Sequence, residues 1–342
     1  MKEKRYGYID HTGNFIIQPI FKAACSFSEG LAFVSLDGDK FGCIDNTVRL
    51  IISAQYSNKA SFHEGLASVS TDNTSFFYID KNGNTIFRHA FCIAEPFHEG
   101  LALVMNYNRK YGFINKNGEY VADPCFYKAS NFHEGLASVV YDNCNKKRLG
   151  YIDRTGSFIV SPIYKDIPLF LSDFHEGLAV ISIGNENGPS ELDRYGFIDK
   201  NGKITIPPIY NYAEPFFYGW AKVNLSGIIG YINPTGSFIY LENSPGFIME
   251  NEWYSIEKKH IPITPIYNWD IKKFGFITRQ MEIVISPRFE KASGFKEGLA
   301  CVKEEKKYGY IDTKGNYIIK PQFDDAGDFY DGLAKVQIEV EM

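Results

Sequence analysis

The stretch YGYIDHTGNFIIQPIFKAACSFSEGLAFV, residues 6–34, is followed along the chain by near copies of itself, the last being YGYIDTKGNYIIKPQFDDAGDFYDGLAKV at 308–336. A period of this length marks a repeat architecture, in which each unit is one supersecondary element that buries its apolar face against its neighbours. Strands of the aromatic-Gly type begin at Tyr6, Phe41, Phe76 (where Phe77 replaces the glycine) and Tyr111, each 35 residues apart, and the later spacings are 38, 46, 34, 45 and 34. This reads as about nine units of ~35 residues in a single continuous array, 1–342, with no linker between units.

Each unit divides into three strand-like pieces. The first is the aromatic-Gly-aromatic-Ile-Asp segment (Tyr6–Asp10, Tyr195–Asp199, Tyr308–Asp312), patterned as a strand. Its Asp opens a turn (DHTG, DKNG, DRTG, DTKG), because a short carboxylate accepts amides two residues on and Gly supplies positive φ. The second piece, such as NFIIQPIF at 14–21, carries Pro19, Pro124, Pro162, Pro287 or Pro321. Proline cannot donate to a ladder, so it marks an edge or a strand exit. A connector follows, with Ala24/Phe27, Ala94/Phe97 or Ala326/Phe329 expected to tuck under the sheet, and the third strand is GLA.V. The expected fold is all-β: a tandem repeat of three-stranded antiparallel meanders forming an open twisted β-solenoid, with a closed propeller-like ring as the alternative.

The phase of the termini bears on that choice. The chain starts on a first strand and ends on a third, and these two strand types are hairpin neighbours elsewhere. If the ends meet they can pair and close a ring; if they do not, two unpaired edges remain to be blunted. Nine units also exceed the four to eight blades usual in propellers.

These phrases resemble the bacterial WG-repeat family, also called KWG repeats, whose units run WG.ID..G...I.P.Y..A..FSEGLA.V. Here Tyr6, Phe41, Tyr111, Leu149, Tyr195, Phe274 and Tyr308 stand where that family has Trp. The resemblance spans nearly the whole chain. It implies the architecture and no general activity.

The regularity breaks at DNCNKKR (142–148), DIPLFLSD (166–173), GNENGPSELDR (184–194) and the stretch 241–273. In the last, IPITPIYNW (261–269) echoes ITIPPIYNY (204–212) without an EGLA phrase after it, so one unit is degenerate.

Composition narrows the function. Net charge is −5, with 36 basic and 41 acidic residues well mixed, which argues against nucleic acid as a partner. No run of 18 apolar residues exists to span a membrane. The six cysteines show no paired spacing, so they read as thiols in a reducing compartment, and a cytoplasmic location is expected.

His63, His98, His133 and His175 share one repeat position, each followed by Glu. Imidazole and carboxylate are good metal ligands, but the same slot holds Ser28, Phe217, Lys296 and Tyr330. That tolerance predicts an exposed slot, and stacked repeats hold equivalent atoms too far apart for one ion. No metal or cofactor is therefore expected. The recurring Glu is expected to accept backbone amides in the connector, ahead of a positive-φ Gly. No GxSxG, Walker A or HExxH motif is present, so an enzyme is not the favoured reading.

Binding is expected where the repeat is broken, with the row of His63, His98, His133 and His175 as a further candidate binding surface. Trp253, Tyr254 and Trp269 lie in the irregular stretch, and Glu191, Asp193 and Arg194 in the polar insertion; Trp and Tyr dominate binding hot spots. The leading expectation is a non-catalytic scaffold that binds another protein, with a glycan or small ligand on aromatic rows as the alternative. An enzyme or inhibitor site in the irregular segment ranks third.

Overall fold

The computed structural model describes residues 2–341 apart from 88, 144, 145, 169–171, 185–191, 218, 240–246, 250–262, 269, 270 and 279–281. The fold is all-β, a series of small antiparallel sheets. A representative sheet runs, in spatial order, Ala23–Ala24, Leu31–Ser35, Phe41–Asp45 and Leu50–Tyr56. The sheet is offset from the sequence phrase. The third strand of one repeat pairs with the first strand of the next, from Leu31↔Asp45 to Val34↔Gly42, and the connector supplies a two-residue strand at one edge.

That offset leaves the chain's first two strands without a preceding third strand. The C-terminus provides it. Lys2–Ile9 pairs with Leu333–Glu341 from Lys2↔Glu341 to Ile9↔Ala334, in a sheet ordered Phe15–Phe21, Lys2–Ile9, Leu333–Glu341, Asp325–Tyr330. The ends therefore pair, as the ring alternative requires of them, and both terminal strands are interior to their sheet.

The aromatic-Gly motif and the proline have one common cause. Across the first two strands the register runs Tyr6↔Phe21 and then Tyr8↔Ile17, so the second strand bulges outward between them. A Cβ on Gly7 would lie 2.5 Å from the Ile17 carbonyl oxygen and 2.8 Å from the Pro19 nitrogen. Only glycine fits beneath the bulge, and proline sits in it without forfeiting a ladder bond. The proline strand is also the sheet edge, as its sequence predicts.

The residue after that glycine carries the core. Tyr8, Phe113, Tyr151, Phe197, Phe276 and Tyr310 are fully buried, each packed on a connector phenylalanine with ring centroids 4.8–5.0 Å apart. Burying one such ring contributes roughly 1.5–3 kcal/mol. Where the residue is tyrosine, its hydroxyl donates to a connector carbonyl: Tyr8 to Cys25 (2.6 Å), Tyr78 to Glu95 (2.6 Å), Tyr151 to Ser172 (2.8 Å) and Tyr310 to Gly327 (2.7 Å). Phe113 and Phe197 fill the same place without a hydroxyl, so Tyr151→Phe should keep its packing. It should still lower stability by about 1–2 kcal/mol by taking a donor from a buried carbonyl, read as a shift in the urea midpoint.

The chain packs as two compact units. One comprises Met1–Asn73, Ile79–Asn84 and Asn243–Met342; the other comprises Thr74–Tyr78 and Thr85–Glu242. Repeat sheets build both. Within the first, Ile263–Asn268 pairs with Lys273–Thr278, from Ile263↔Thr278 to Asn268↔Lys273. The segment that echoes a second strand in sequence thus occupies the place of a third. Its apolar residues fill the position that GLA.V takes elsewhere, and Phe247–Met249 pairs alongside it in the connector's place.

Candidate functional site

The most regular polar feature is the turn between connector and third strand. In His133-Glu134-Gly135-Leu136 the flanking residues exchange backbone hydrogen bonds, His133 N–H to Leu136 O at 2.9 Å and Leu136 N–H to His133 O at 3.2 Å. Glu134 and Gly135 both have positive φ, 55° and 89°. This is a two-residue type I′ hairpin turn, whose usual first central residue is Asn, Asp or Gly. The positive φ at glutamate is invisible in the sequence, where only the glycine signals one.

A contact with the neighbouring repeat accounts for the glutamate. Its carboxylate accepts the glycine amide of the next repeat's turn: Glu29 from Gly65 (3.0 Å), Glu99 from Gly135 (2.9 Å), Glu134 from Gly177 (2.9 Å) and Glu176 from Gly219 (2.7 Å). A cation from the repeat after that completes the group: Lys81 on Glu29 (3.1 Å), Arg154 on Glu99 (2.6 Å) and Lys200 on Glu134 (3.1 Å). The same arrangement continues where the termini meet. Glu297 accepts from Gly332 and contacts His11 at 3.0 Å, and Asp331 accepts from Gly30 at 2.8 Å. The glutamate is thus an amide acceptor, as expected, but for the next repeat rather than its own connector.

The preceding slot is half-buried at His63, His98, His133 and His175, against the exposure that its tolerance of residue types predicts. The β-bridge to the following leucine draws the side chain in towards its equivalents in adjacent repeats. His63 Nε2 meets Ser61 Oγ at 2.9 Å, and burial lowers its pKa against the pull of Glu29 and Glu64. The His133 and His175 rings lie 5.7 Å apart, and the His175 ring lies 4.6 Å from that of Phe217.

Beside this pair is a buried carboxylate that the sequence does not single out. Asp173 accepts a hydrogen bond from Ser138 Oγ (3.0 Å), Ser138 Oγ lies 2.8 Å from Ser130 Oγ, and His133 Nε2 is 3.6 Å from Asp173. Burial raises the Asp173 pKa, opposed by His133 and the two serines. Serine, histidine and aspartate are together, but not as a nucleophile set. The Ser138 hydroxyl donates to the carboxylate, whereas a serine nucleophile hands its proton to an imidazole. Among the described residues no group of three or more His, Cys, Asp or Glu is disposed to hold a metal ion.

The sequence model for the WG containing repeat matches 6–38, 41–74, 76–109, 111–143, 150–186, 195–227, 274–308 and 308–339. The chain belongs to the WG containing repeat family. No curated protein matches the WG-repeat chain in sequence. Similar solved structures include BamB from Moraxella catarrhalis, at 10% identity and TM-score 0.40 over 98% of this chain and 97% of that one. The WD40 beta propeller domain of Doa1 gives 8% identity and TM-score 0.32 over 98% and 95%. A putative TolB from Agrobacterium tumefaciens gives 11% and 0.30 over 63% and 94%.

The matched WG repeats leave 228–273 between them, which contains the degenerate unit. Glu191, Trp253, Tyr254 and Trp269 lie outside the described residues. Asp193 is 4% exposed, and both its oxygens accept from Lys165 Nζ at 2.7 Å. Arg194 begins the strand Arg194–Asp199 and donates from Nη1 to the Asp193 carbonyl at 2.8 Å. His133 and His175 are brought together as described, whereas Asp193 and Arg194 sit at the start of a first strand.

Proposed function

We propose that this WG-repeat chain is a non-catalytic scaffold that binds another protein through its departures from the repeat, the insertion at 184–194 and the stretch 241–273. One observation carries this reading. The polar residues that recur in the repeat, namely the tyrosine hydroxyls, the turn glutamates and the turn-opening aspartates, are engaged within the fold. Asp10 illustrates the last, accepting the amides of Thr12 (2.8 Å) and Asn14 (3.0 Å). With the repeated residues committed to building the array, selectivity falls to residues present once, and Trp and Tyr are the side chains that anchor interfaces.

The test is capture from lysate of the source cell with a photo-crosslinking residue in place of Tyr254. The otherwise unchanged chain, Trp253→Ala/Trp269→Ala and a deletion of 185–191, each carrying the probe at 254, would be compared at matched urea midpoints. We expect one stoichiometric protein adduct at this position, weakened at least about tenfold in the double variant, as loss of hot-spot aromatics implies. Equal capture by all three proteins would remove the assignment.

A glycan reading draws on a different observation. Tyr107 is 61% exposed, its hydroxyl 2.8 Å from Ser75 Oγ, and Tyr120, Tyr127 and Tyr141 are also exposed. The first-strand core rings are buried and offer no platform, so a glycan would engage exposed rings such as these. Glycan-array binding lost on Tyr107→Ala would favour it.

A further inference from the structure

We propose that His175 makes the junction between the repeats at 111–143 and 150–186 acid-sensitive: protonating its imidazole loosens the His175–Leu178 turn from Glu134.

The slot also holds His63, His98 and His133, and in the other repeats Ser28, Phe217, Lys296 or Tyr330. Here the His175 ring lies between the rings of His133, at 5.7 Å, and Phe217, at 4.6 Å, and its Nε2 is shut off from solvent. An imidazolium placed there would lose its hydration and face a second imidazole.

The described carboxylates at the junction are engaged in contacts between repeats. Glu134 accepts from the amides of Glu176 (3.0 Å) and Gly177 (2.9 Å) and pairs with Lys200. Glu176 accepts from Gly219, and Asp173 is held by Ser138 and faced by His133. Drawing Glu134, Glu176 or Asp173 towards an imidazolium at His175 would strain these contacts between repeats.

Burial, followed by His133, lowers the His175 pKa from 6.5 to about 4, with Glu134 opposing. A histidine whose folded pKa is depressed stabilises the fold above its unfolded pKa. That contribution is lost as pH falls from about 6.5 towards about 4 and stays lost below. Histidine is the side chain whose charge ordinarily changes near this range.

The experiment is hydrogen exchange on the full chain at about pH 7 and about pH 4.5, normalised for intrinsic rates, reading the Glu176 and Gly177 amides that Glu134 accepts. Wild type should open more at the lower pH, by up to about a hundredfold given the size of the shift. His175→Phe, which places in the slot the residue already found at Phe217, should abolish that response, and His98→Phe should leave it. An equal acid response in His175→Phe overturns the proposal. So does a wild-type NMR titration placing the His175 imidazole near 6.5, a measurement that needs no variant to fold.

Discussion

Gly196→Ala should destabilise its unit by about 3 kcal/mol or more, since the added methyl overpacks against main chain that cannot rotate away. A Cβ at this position would lie 2.6 Å from the Pro208 nitrogen and 2.7 Å from the Ile206 carbonyl oxygen. Relief requires the bulge to open, which separates the edge strand Ile204–Tyr210 from Arg194–Asp199. Gly177→Ala is the control. Gly177 has φ of 83° and nothing within 4 Å of its Cβ direction, so alanine there bears only the left-handed backbone cost, about 1–2 kcal/mol. Urea midpoints of the two variants should separate clearly. Gly196 lies outside the left-handed region, so equal losses would mean that the bulge opens around the added methyl at little cost.

The second large effect concerns Lys165 and Asp193. Asp193→Ala leaves the Lys165 ammonium, whose side chain is only 17% exposed, without its bidentate partner. Removing one member of a buried pair typically costs about 3–5 kcal/mol, whereas replacing both by apolar residues is often neutral or stabilising. Asp193→Leu with Lys165→Met should therefore recover most of what Asp193→Ala loses, measured by denaturant unfolding. The pair also bears on binding. If the double replacement folds normally and keeps a partner, Asp193 acts by anchoring the start of its strand; if it folds and loses the partner, the carboxylate itself is recognised.

Much of the architecture was legible because repetition reports each position several times. The period, the Asp-opened turns, the edge prolines and the buried connector phenylalanines all follow from residues that recur with one spacing and one local chemistry. The phase argument at the ends reached further, since a chain that begins on a first strand and ends on a third has complementary edges. The candidate sites were less legible. The exposed reading of the His slot rested on its variety of residues, yet that variety reflects ring, hydroxyl and aliphatic stems all packing in one half-buried row. Asp173 and the Lys165–Asp193 pair gave no signal, because their partners lie 35 and 28 residues away in sequence.

Local patterning in the sequence by itself determined the strands, turns and glycine positions, since these depend on alternation, on proline's missing donor and on short-range hydrogen bonding. Only the tertiary structure decided that a sheet straddles two repeats, that Ile263–Asn268 serves as a third strand and that each turn glutamate bonds the next repeat. Those outcomes depend on which edges meet and which carboxylates reach a neighbour's amide. Both are distances between repeats, which a residue pattern does not encode.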